Sequence, residues 1–221
     1  MRALRPRGFT LLEMMTAMAI IAIMASLSIA ALSGLKSRGT FVSATGDLIG
    51  GVRLARAEAF SRQAPCVFVI DTVNKRWWSI ANVGNNFSLG TFNPANPTPA
   101  PDLLLASGTL PTTVTFGPGG SPGGFGGPLP QPYAAVPSSS SSTPAPAFPY
   151  CSFCNLAGPN TGFGSITFYG AGSAAFSVNT GNPIGHSFTI QSPKPGGVGF
   201  QIMTFAVVAR TGAAATFESS L

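Results

Sequence analysis

Cysteine is the residue type with the clearest capacity for chemistry here, and the chain has three: Cys66, Cys151 and Cys154. The Cys-x-x-Cys spacing of the last two would suit a disulfide, a pair of buried thiols, or half of a metal or redox site. A structural zinc site needs a second pair of ligands, so the spacing favours the disulfide or the thiols. If the domain is exported to an oxidising compartment, Cys151 and Cys154 can close a small loop and Cys66 is left as a free, buried thiol.

His186 is the single histidine of the chain. On paper it would complete a Ser/His/Asp hydrolase triad, but a lone histidine between Gly185 and Ser187 at the entry to a strand is more typical of a surface or capped residue. The sequence has no phosphate-binding loop, no His-Glu-x-x-His helix and no paired acids suited to catalysis. We therefore expect no enzyme, no cofactor and no metal site.

Glu13 stands at the start of an apolar run, since the residues from Met14 to Leu35 carry no formal charge. As a helix that rises about 1.5 Å per residue, this run spans roughly 33 Å, enough to cross a hydrocarbon core of about 30 Å once. A carboxylate carried into a bilayer costs about 2.5–3.5 kcal/mol, so Glu13 needs an explanation. Basic residues ahead of the run predict a cytoplasmic N-terminus and an exported C-terminal domain; they are Arg2, Arg5 and Arg7.

An ordinary secretory signal is the competing interpretation of this segment. The basic start, the apolar core and the triplet Ser28-Ile29-Ala30 would suit cleavage after Ala30, which would release a secreted β-protein. That interpretation leaves Glu13 unexplained.

The segment Arg7-Gly8-Phe9-Thr10-Leu11-Leu12-Glu13 resembles the class III signal of type IV prepilins and type II secretion pseudopilins, where a basic leader ends in Gly and Glu is the fifth mature residue. The resemblance implies that a prepilin peptidase cleaves between Gly8 and Phe9 and methylates the new amine of Phe9. It also implies that Glu13 pairs with the Phe9 amine of a neighbouring subunit in the filament core, where an unpaired charge costs several kcal/mol. The partners implied are other pilins or pseudopilins, the peptidase and an inner-membrane assembly platform.

Beyond Gly39 the chain repeats a stripe at alternating steps of four and three residues, which predicts an amphipathic helix to about Arg62. The stripe consists of Phe41, Thr45, Leu48, Val52, Ala55 and Ala59. Three glycines weaken this helix by about 1 kcal/mol each, so we expect it to pack against a sheet. Short β-rich runs follow: a hairpin over 66–80 with its turn at 71–75, then runs at 113–116, 165–169, 174–178, 186–190 and 200–209. The pattern predicts an α+β fold.

Four divisions follow from these patterns: a leader at 1–8, a transmembrane or filament-core helix at 9–35, an amphipathic helix at 36–63 and a β-rich domain at 64–221. Pro-, Gly- and Ser-rich stretches at about 93–149 are expected to be loops, because they cannot bury enough apolar surface to offset their ordering entropy.

Two further segments are similar to the GspH/FimT branch of pseudopilins: DLIGGVRLARAEAFSRQ at 47–63 and FAVVARTG at 205–212, the latter as the closing strand and turn. This resemblance implies a type IV pilin-like fold, with two antiparallel β-sheets packed on the C-terminal half of a long helix. It implies a minor pseudopilin of a type II secretion or type IV pilus machine, anchored in the inner membrane with its domain in the periplasm.

DNA uptake by a FimT-like minor pilin is the alternative function. Nucleic-acid binding needs clustered cations, and from residue 77 onward only Lys194 and Arg210 are cationic. Arg210 is followed by Thr-Gly-Ala-Ala-Ala, so the basic C-terminal pattern of DNA-binding members is missing. A modest basic patch remains conceivable from Arg53, Arg56, Arg62, Lys75 and Arg76. A structural role is therefore expected ahead of DNA binding.

Overall fold

The computed structural model describes residues 10–117, 151–155, 160–177, 185–194 and 198–220. The leader, the predicted cleavage and methylation positions Gly8 and Phe9, and most of the predicted loop region lie outside these residues. Within them, one α-helix is followed by nine strands, with a short 3-10 helix at Leu89–Thr91 between the second and third strands. Their bounds are α1 Leu11–Arg62, β1 Cys66–Asp71, β2 Arg76–Ala81, β3 Leu103–Thr109, β4 Thr115–Phe116, β5 Phe163–Phe168, β6 Ala174–Phe176, β7 Gly185–Pro193, β8 Phe200–Val208 and β9 Ala214–Ser220.

Helix α1 is continuous across the division expected between residues 35 and 36. It begins after Thr10, whose side chain accepts a hydrogen bond from the backbone N–H of Glu13, as an N-cap residue does. It ends at Gln63, which adopts the left-handed conformation with φ 52°. The amide of Gln63 donates to the carbonyl of Phe60, which satisfies one of the free carbonyls of the last turn.

The strands form two antiparallel sheets. The first has the order β3-β2-β1-β5-β6 and the second the order β4-β7-β8-β9. The predicted hairpin joins β1 to β2, with Asp71 paired opposite Arg76. The Asp71 carboxylate holds the turn by accepting from the backbone N–H groups of Val73 and Asn74 and from the Asn74 side-chain amide. Helix α1 contacts strands of both sheets, so the predicted α+β, type IV pilin-like fold is confirmed.

The main core lies between the C-terminal half of α1 and the two sheets. Every residue of the predicted stripe is buried there. Leu48 alone, fully buried, contributes about 1.5–3 kcal/mol relative to an exposed leucine. The helix packs on β1 through Phe68 and Ile70, and on the second sheet through Phe188 and Phe205, whose rings stack at a centroid distance of 4.6 Å.

A second, smaller core covers the opposite face of the five-stranded sheet. Val67 and Val69 of β1 and Trp78 of β2 point to this face and pack with Leu89 and Phe92 of the segment that links β2 to β3. Strand β1 is therefore buried on both faces, which explains why its sequence is apolar at consecutive positions and does not alternate.

Two strands differ from the sequence prediction. Residues 103–109 form β3 inside the segment expected to be loop, and they pair with β2 with one register shift between Ser79 and Ile80. The chain also continues beyond the expected closing strand: β8 turns at Gly212, which has φ 57°, into β9. Both are edge strands whose half-exposed residues give little hydrophobic signal, because the neighbouring strand supplies the hydrogen bonds that order them.

Candidate functional site

The N-terminal part of α1, residues 11–26, exposes its apolar side chains in every direction. Leu11 is 79% exposed, and none of the residues from Leu11 to Met24 is buried. The large exposed side chains of this segment are Leu11, Leu12, Met14, Met15, Met18, Ile20, Ile21, Ile23 and Met24. A helix that is apolar all round is stable only when another apolar phase or another helix covers it.

Glu13 lies in the first turn of this exposed segment. Its backbone N–H donates to Thr10 Oγ1 at 3.3 Å, and the side chain itself is exposed. Within the described residues, no hydrogen bond or ion pair engages the Glu13 carboxylate, so it is available to a group outside the chain. A carboxylate in the first turn is also favoured by the helix dipole. Sequence reasoning missed Thr10, although the Thr-x-x-Glu pattern is a recognised capping signal.

Hydroxyl groups in the same segment are satisfied by the helix backbone. Thr16 donates to the carbonyl of Glu13 at 3.0 Å, Ser26 to that of Ile23 at 2.7 Å, and Ser28 to that of Met24 at 2.8 Å. These internal bonds lower the cost of taking the segment out of water, since a polar group in an apolar phase needs a partner.

No helix among the residues that the structure describes has a stretch both long and apolar enough to qualify as a membrane span. The single-pass segment expected at 9–35 stays a prediction.

A disulfide joins Cys151 and Cys154 with an S–S distance of 2.03 Å. Ser152, between them, ties this loop to β7: its hydroxyl accepts the backbone N–H of Ser187 at 3.0 Å and lies 3.0 Å from Nδ1 of His186. The cysteines bracket a loop that is hydrogen-bonded to the second sheet. Across the described ranges, no group of three or more His, Cys, Asp or Glu side chains could hold a metal ion.

His186, expected to be a surface or capped residue, is buried, with the Ser152 hydroxyl within hydrogen-bond distance of its ring. Its ring packs on Phe176 at 4.4 Å and approaches Phe153 edge-on at 6.3 Å. Burial lowers the pKa of His186 below its ordinary value of 6.5, and a hydrogen bond with the backbone of Ser152 opposes that shift. In the part of the chain that the structure describes, no carboxylate is hydrogen-bonded to the imidazole to complete a triad. His186 of β7 therefore packs in the core against Phe153 of the disulfide loop and Phe176 of β6.

Cys66 is a free, buried thiol, as the sequence predicted. Burial raises the pKa of Cys66 to about 11, with Arg62 opposing the shift and Glu58 adding to it. A thiol with such a pKa is almost entirely protonated at neutral pH, so it is a poor nucleophile and a poor metal ligand.

Three of the five cations considered for a basic patch bind different partners. Arg62 forms an ion pair with Glu58 at 2.6 Å. Arg56 donates to the carbonyl of Thr211 between β8 and β9, whereas Lys75 donates to the carbonyl of Thr112 before β4. Arg53 and Arg76 are exposed. The hydrogen bonds thus direct Arg56 and Lys75 to separate turns.

Residues 4–29 match the family model described as the prokaryotic N-terminal methylation motif. Searches of curated proteins and of solved structures each found no significant match. The motif, the long helix with its exposed residues 11–26, and the antiparallel sheets that follow it support a type IV pilin-like protein. Its methylation-type signal suggests membrane anchoring, association with other pilins and processing by a prepilin peptidase.

Proposed function

We propose that the chain is a minor pseudopilin of the GspH/FimT branch, a structural subunit that enters or primes a type II secretion pseudopilus or a type IV pilus. One observation carries this proposal: a single continuous helix buries one stripe in the folded domain and leaves its other half bare, with a lone carboxylate at the start. That division suits a subunit stored in one apolar environment and moved to another.

The proposed mechanism has three steps. The segment 9–35 holds the subunit in the inner membrane with its β-rich domain in the periplasm. Prepilin peptidase then cleaves between Gly8 and Phe9 on the cytoplasmic side and methylates the new amine. On extraction by the assembly platform, the bare half of α1 packs among neighbouring helices, and Glu13 of one subunit neutralises the Phe9 amine of another.

The pairing determines the axial register of the helices. In a dry helical core, an uncompensated carboxylate or amine costs several kcal/mol, so subunits placed out of register are penalised. The hydroxyl groups of Thr16, Ser26 and Ser28 do not compete for partners on neighbouring helices, because carbonyl groups of α1 already accept their hydrogen bonds. In this proposal the chain is no enzyme and needs no cofactor.

DNA uptake has less support. Arg62 is neutralised by Glu58, and hydrogen bonds direct Arg56 and Lys75 to different turns. A duplex-binding surface needs several cations along one track. No contact of the described residues favours that function over a structural one.

The test compares an in-frame deletion strain with its parent for the proteins of the culture supernatant and for surface pili. Loss of exported proteins with pili intact would assign the subunit to a secretion pseudopilus, and loss of pili with export intact would assign it to a type IV pilus. Unchanged export and unchanged pili, together with absence of the subunit from sheared filaments, would refute the proposal.

A further inference from the structure

A groove lies on the exposed flank of α1, beside the turn between β5 and β6. It has a volume of about 380 Å³ and is lined by Arg53, Arg56, Ala57, Phe60 and Gly172. Arg56, Ala57 and Phe60 lie three, four and seven positions after Arg53, so the four residues share one face of the helix. The ring of Phe60 is 65% exposed, which is unusual for an aromatic side chain with a folded domain beside it.

The two arginines of the groove have donors to spare. Arg56 donates through Nη2 to the Thr211 carbonyl at 3.0 Å, which holds its guanidinium in place. Arg53 is exposed and makes no hydrogen bond or ion pair with any described residue. A guanidinium has five N–H donors arranged to bind a carboxylate in a bidentate manner. The groove therefore combines an apolar floor with two cations whose geometry suits carboxylate oxygens.

The wall opposite the helix is built by two turns that support each other. Gly172 has φ 89°, and its N–H donates to the carbonyl of Tyr169 at 2.8 Å. Gly212, in the turn between β8 and β9, approaches so closely that a β-carbon there would lie 2.8 Å from the Gly172 carbonyl oxygen. Because this wall is already ordered, binding of a partner does not carry the entropic cost of ordering it.

We propose that this groove docks a different filament subunit through a segment in which an Asp or Glu neighbours an exposed apolar side chain. The proposal rests on the function proposed above. Charge complementarity identifies the occupant: without the leader, which holds three of the 12 Lys and Arg, the chain keeps 9 cationic side chains against 6 Asp and Glu. A subunit this poor in carboxylates is suited to a neighbour that is richer in them.

A second copy of this chain fits the groove poorly. Glu13 lies in the apolar part of α1 that the proposed function assigns to the filament core. Asp71 and Asp102 are buried, and Glu58 is paired with Arg62. Asp47 is followed by the buried Leu48. Glu218 follows Phe217, which packs against Ala206 and cannot also fill the groove. The occupant is therefore heterotypic.

The bilayer is also out of reach. At about 1.5 Å per residue, α1 places Arg53, the nearer of the two arginines, roughly 27 Å beyond Leu35, where the apolar run ends. That separation exceeds several Debye lengths at physiological ionic strength, so anionic headgroups do not attract Arg53 or Arg56.

The test places the photo-reactive residue p-benzoylphenylalanine at position 60 of the full-length protein in its native cell. Irradiation of assembled filaments should cross-link it to a subunit other than itself, at a peptide that contains Asp or Glu beside an apolar residue. Arg53→Glu should reduce this product at least about tenfold, because a like charge would then face the partner's carboxylate. Arg76→Glu, the same charge reversal on β2, should leave it unchanged.

Two further variants sharpen the result. Ala57→Trp should fill the groove and abolish the product, whereas Ala57→Ser should not. Once the cross-linked carboxylate is known, its change to Arg should restore the product in the Arg53→Glu strain. Cross-linking to a second copy, to lipid or to DNA, no cross-link at all, or an unchanged yield in Arg53→Glu would each overturn the proposal.

Processing and filament incorporation are measured on the same samples. If the subunit is processed and incorporated but the expected cross-link is missing, the groove proposal fails and the proposed function stands. If the unmodified subunit does not enter filaments, the proposed function fails and the groove proposal fails with it.

Discussion

Gly51 of α1 and Trp77 of β2 are in direct contact: a β-carbon on Gly51 would lie 2.6 Å from Cζ3 of the indole. The Ser79 hydroxyl, from the same strand, donates to the Gly51 carbonyl at 2.9 Å. The absence of a side chain at this position therefore determines how closely the helix approaches the sheet. It also explains why a residue that costs a helix about 1 kcal/mol is placed there.

The neighbouring glycine provides a matched comparison. Gly51→Ala should lower the free energy of unfolding by about 1–2 kcal/mol, because the overpacking cost outweighs the gain in helix propensity. Gly50→Ala, with no atom within 4 Å of the new β-carbon, should raise it by about 0.5–1 kcal/mol. Urea unfolding of the processed chain in mild detergent, followed by tryptophan fluorescence, measures both. Equal effects of the two changes would contradict the contact.

Removal of the Glu13 carboxylate should separate processing from assembly. Glu13→Ala should still be cleaved after Gly8, but its amount in sheared filaments should fall at least about tenfold, because the neighbour's Phe9 amine would be left uncompensated in a dry core. Immunoblots of membranes and filaments measure the two steps. Glu58→Ala removes a carboxylate from the other end of the same helix and should assemble normally. Normal incorporation of Glu13→Ala would exclude the pairing role.

Protonation of His186 should destabilise the domain in acid. Because burial lowers its folded pKa below 6.5, the unfolded chain binds the proton first as the pH falls. The contribution of the neutral, buried His186 to the free energy of unfolding is therefore complete above pH 6.5. It is lost as the pH drops from 6.5 through the folded pKa. His186→Phe should lack this part of the pH dependence, even if its stability at neutral pH is lower. Unfolding midpoints between pH 7.5 and 5 compare the two slopes, and parallel slopes would refute the assignment.

The three cysteines should react in a fixed order with a thiol reagent at pH 8. The folded chain should show none, because Cys66 is buried and its pKa is raised to about 11. Unfolding without reductant should expose one thiol, and subsequent reduction should expose three, since Cys151 and Cys154 are joined. Mass spectrometry after alkylation counts them. Three reactive thiols before reduction would show that the disulfide is not formed in the isolated protein.

The buried thiol of Cys66 should lower the free energy of unfolding at alkaline pH. The folded pKa of Cys66, about 11, lies above the ordinary thiol value of 9.0. The contribution of the buried thiol to the free energy of unfolding is therefore complete below pH 9 and is lost as the pH rises from 9 to 11. Cys66→Ala should lack this part of the loss, measured by urea unfolding at pH 8 and pH 10.5.

Local sequence patterns were sufficient to predict the amphipathic part of α1 and the hairpin between β1 and β2. The stripe from Phe41 to Ala59 repeats within single turns, and every member is buried. The hairpin between β1 and β2 follows from two adjacent β-rich runs and a turn held by Asp71 itself. These features need no information from distant residues, because the contacts that form them are close in sequence.

Other features were decided by distant partners. His186 was expected to be a surface or capped residue; it is buried against Phe153 and Phe176, and its contact with Ser152 spans 34 residues. Strand β3 emerged inside a predicted loop because β2 supplies its hydrogen bonds. An edge strand with weak β-propensity cannot be recognised until its neighbour is known.

The sequence by itself determined that this protein has a methylation-type N-terminal signal, a lone carboxylate in an apolar helix and a β-rich domain behind it. Charge, apolar length and periodicity are properties of consecutive residues, so they can be read along the chain. Only the tertiary structure decided that Gly51 seats the helix on Trp77, that His186 is buried, and that Arg53, Arg56 and Phe60 face Gly172 across a groove. Each of these depends on the approach of surfaces that are far apart in sequence, which only the packed fold brings together.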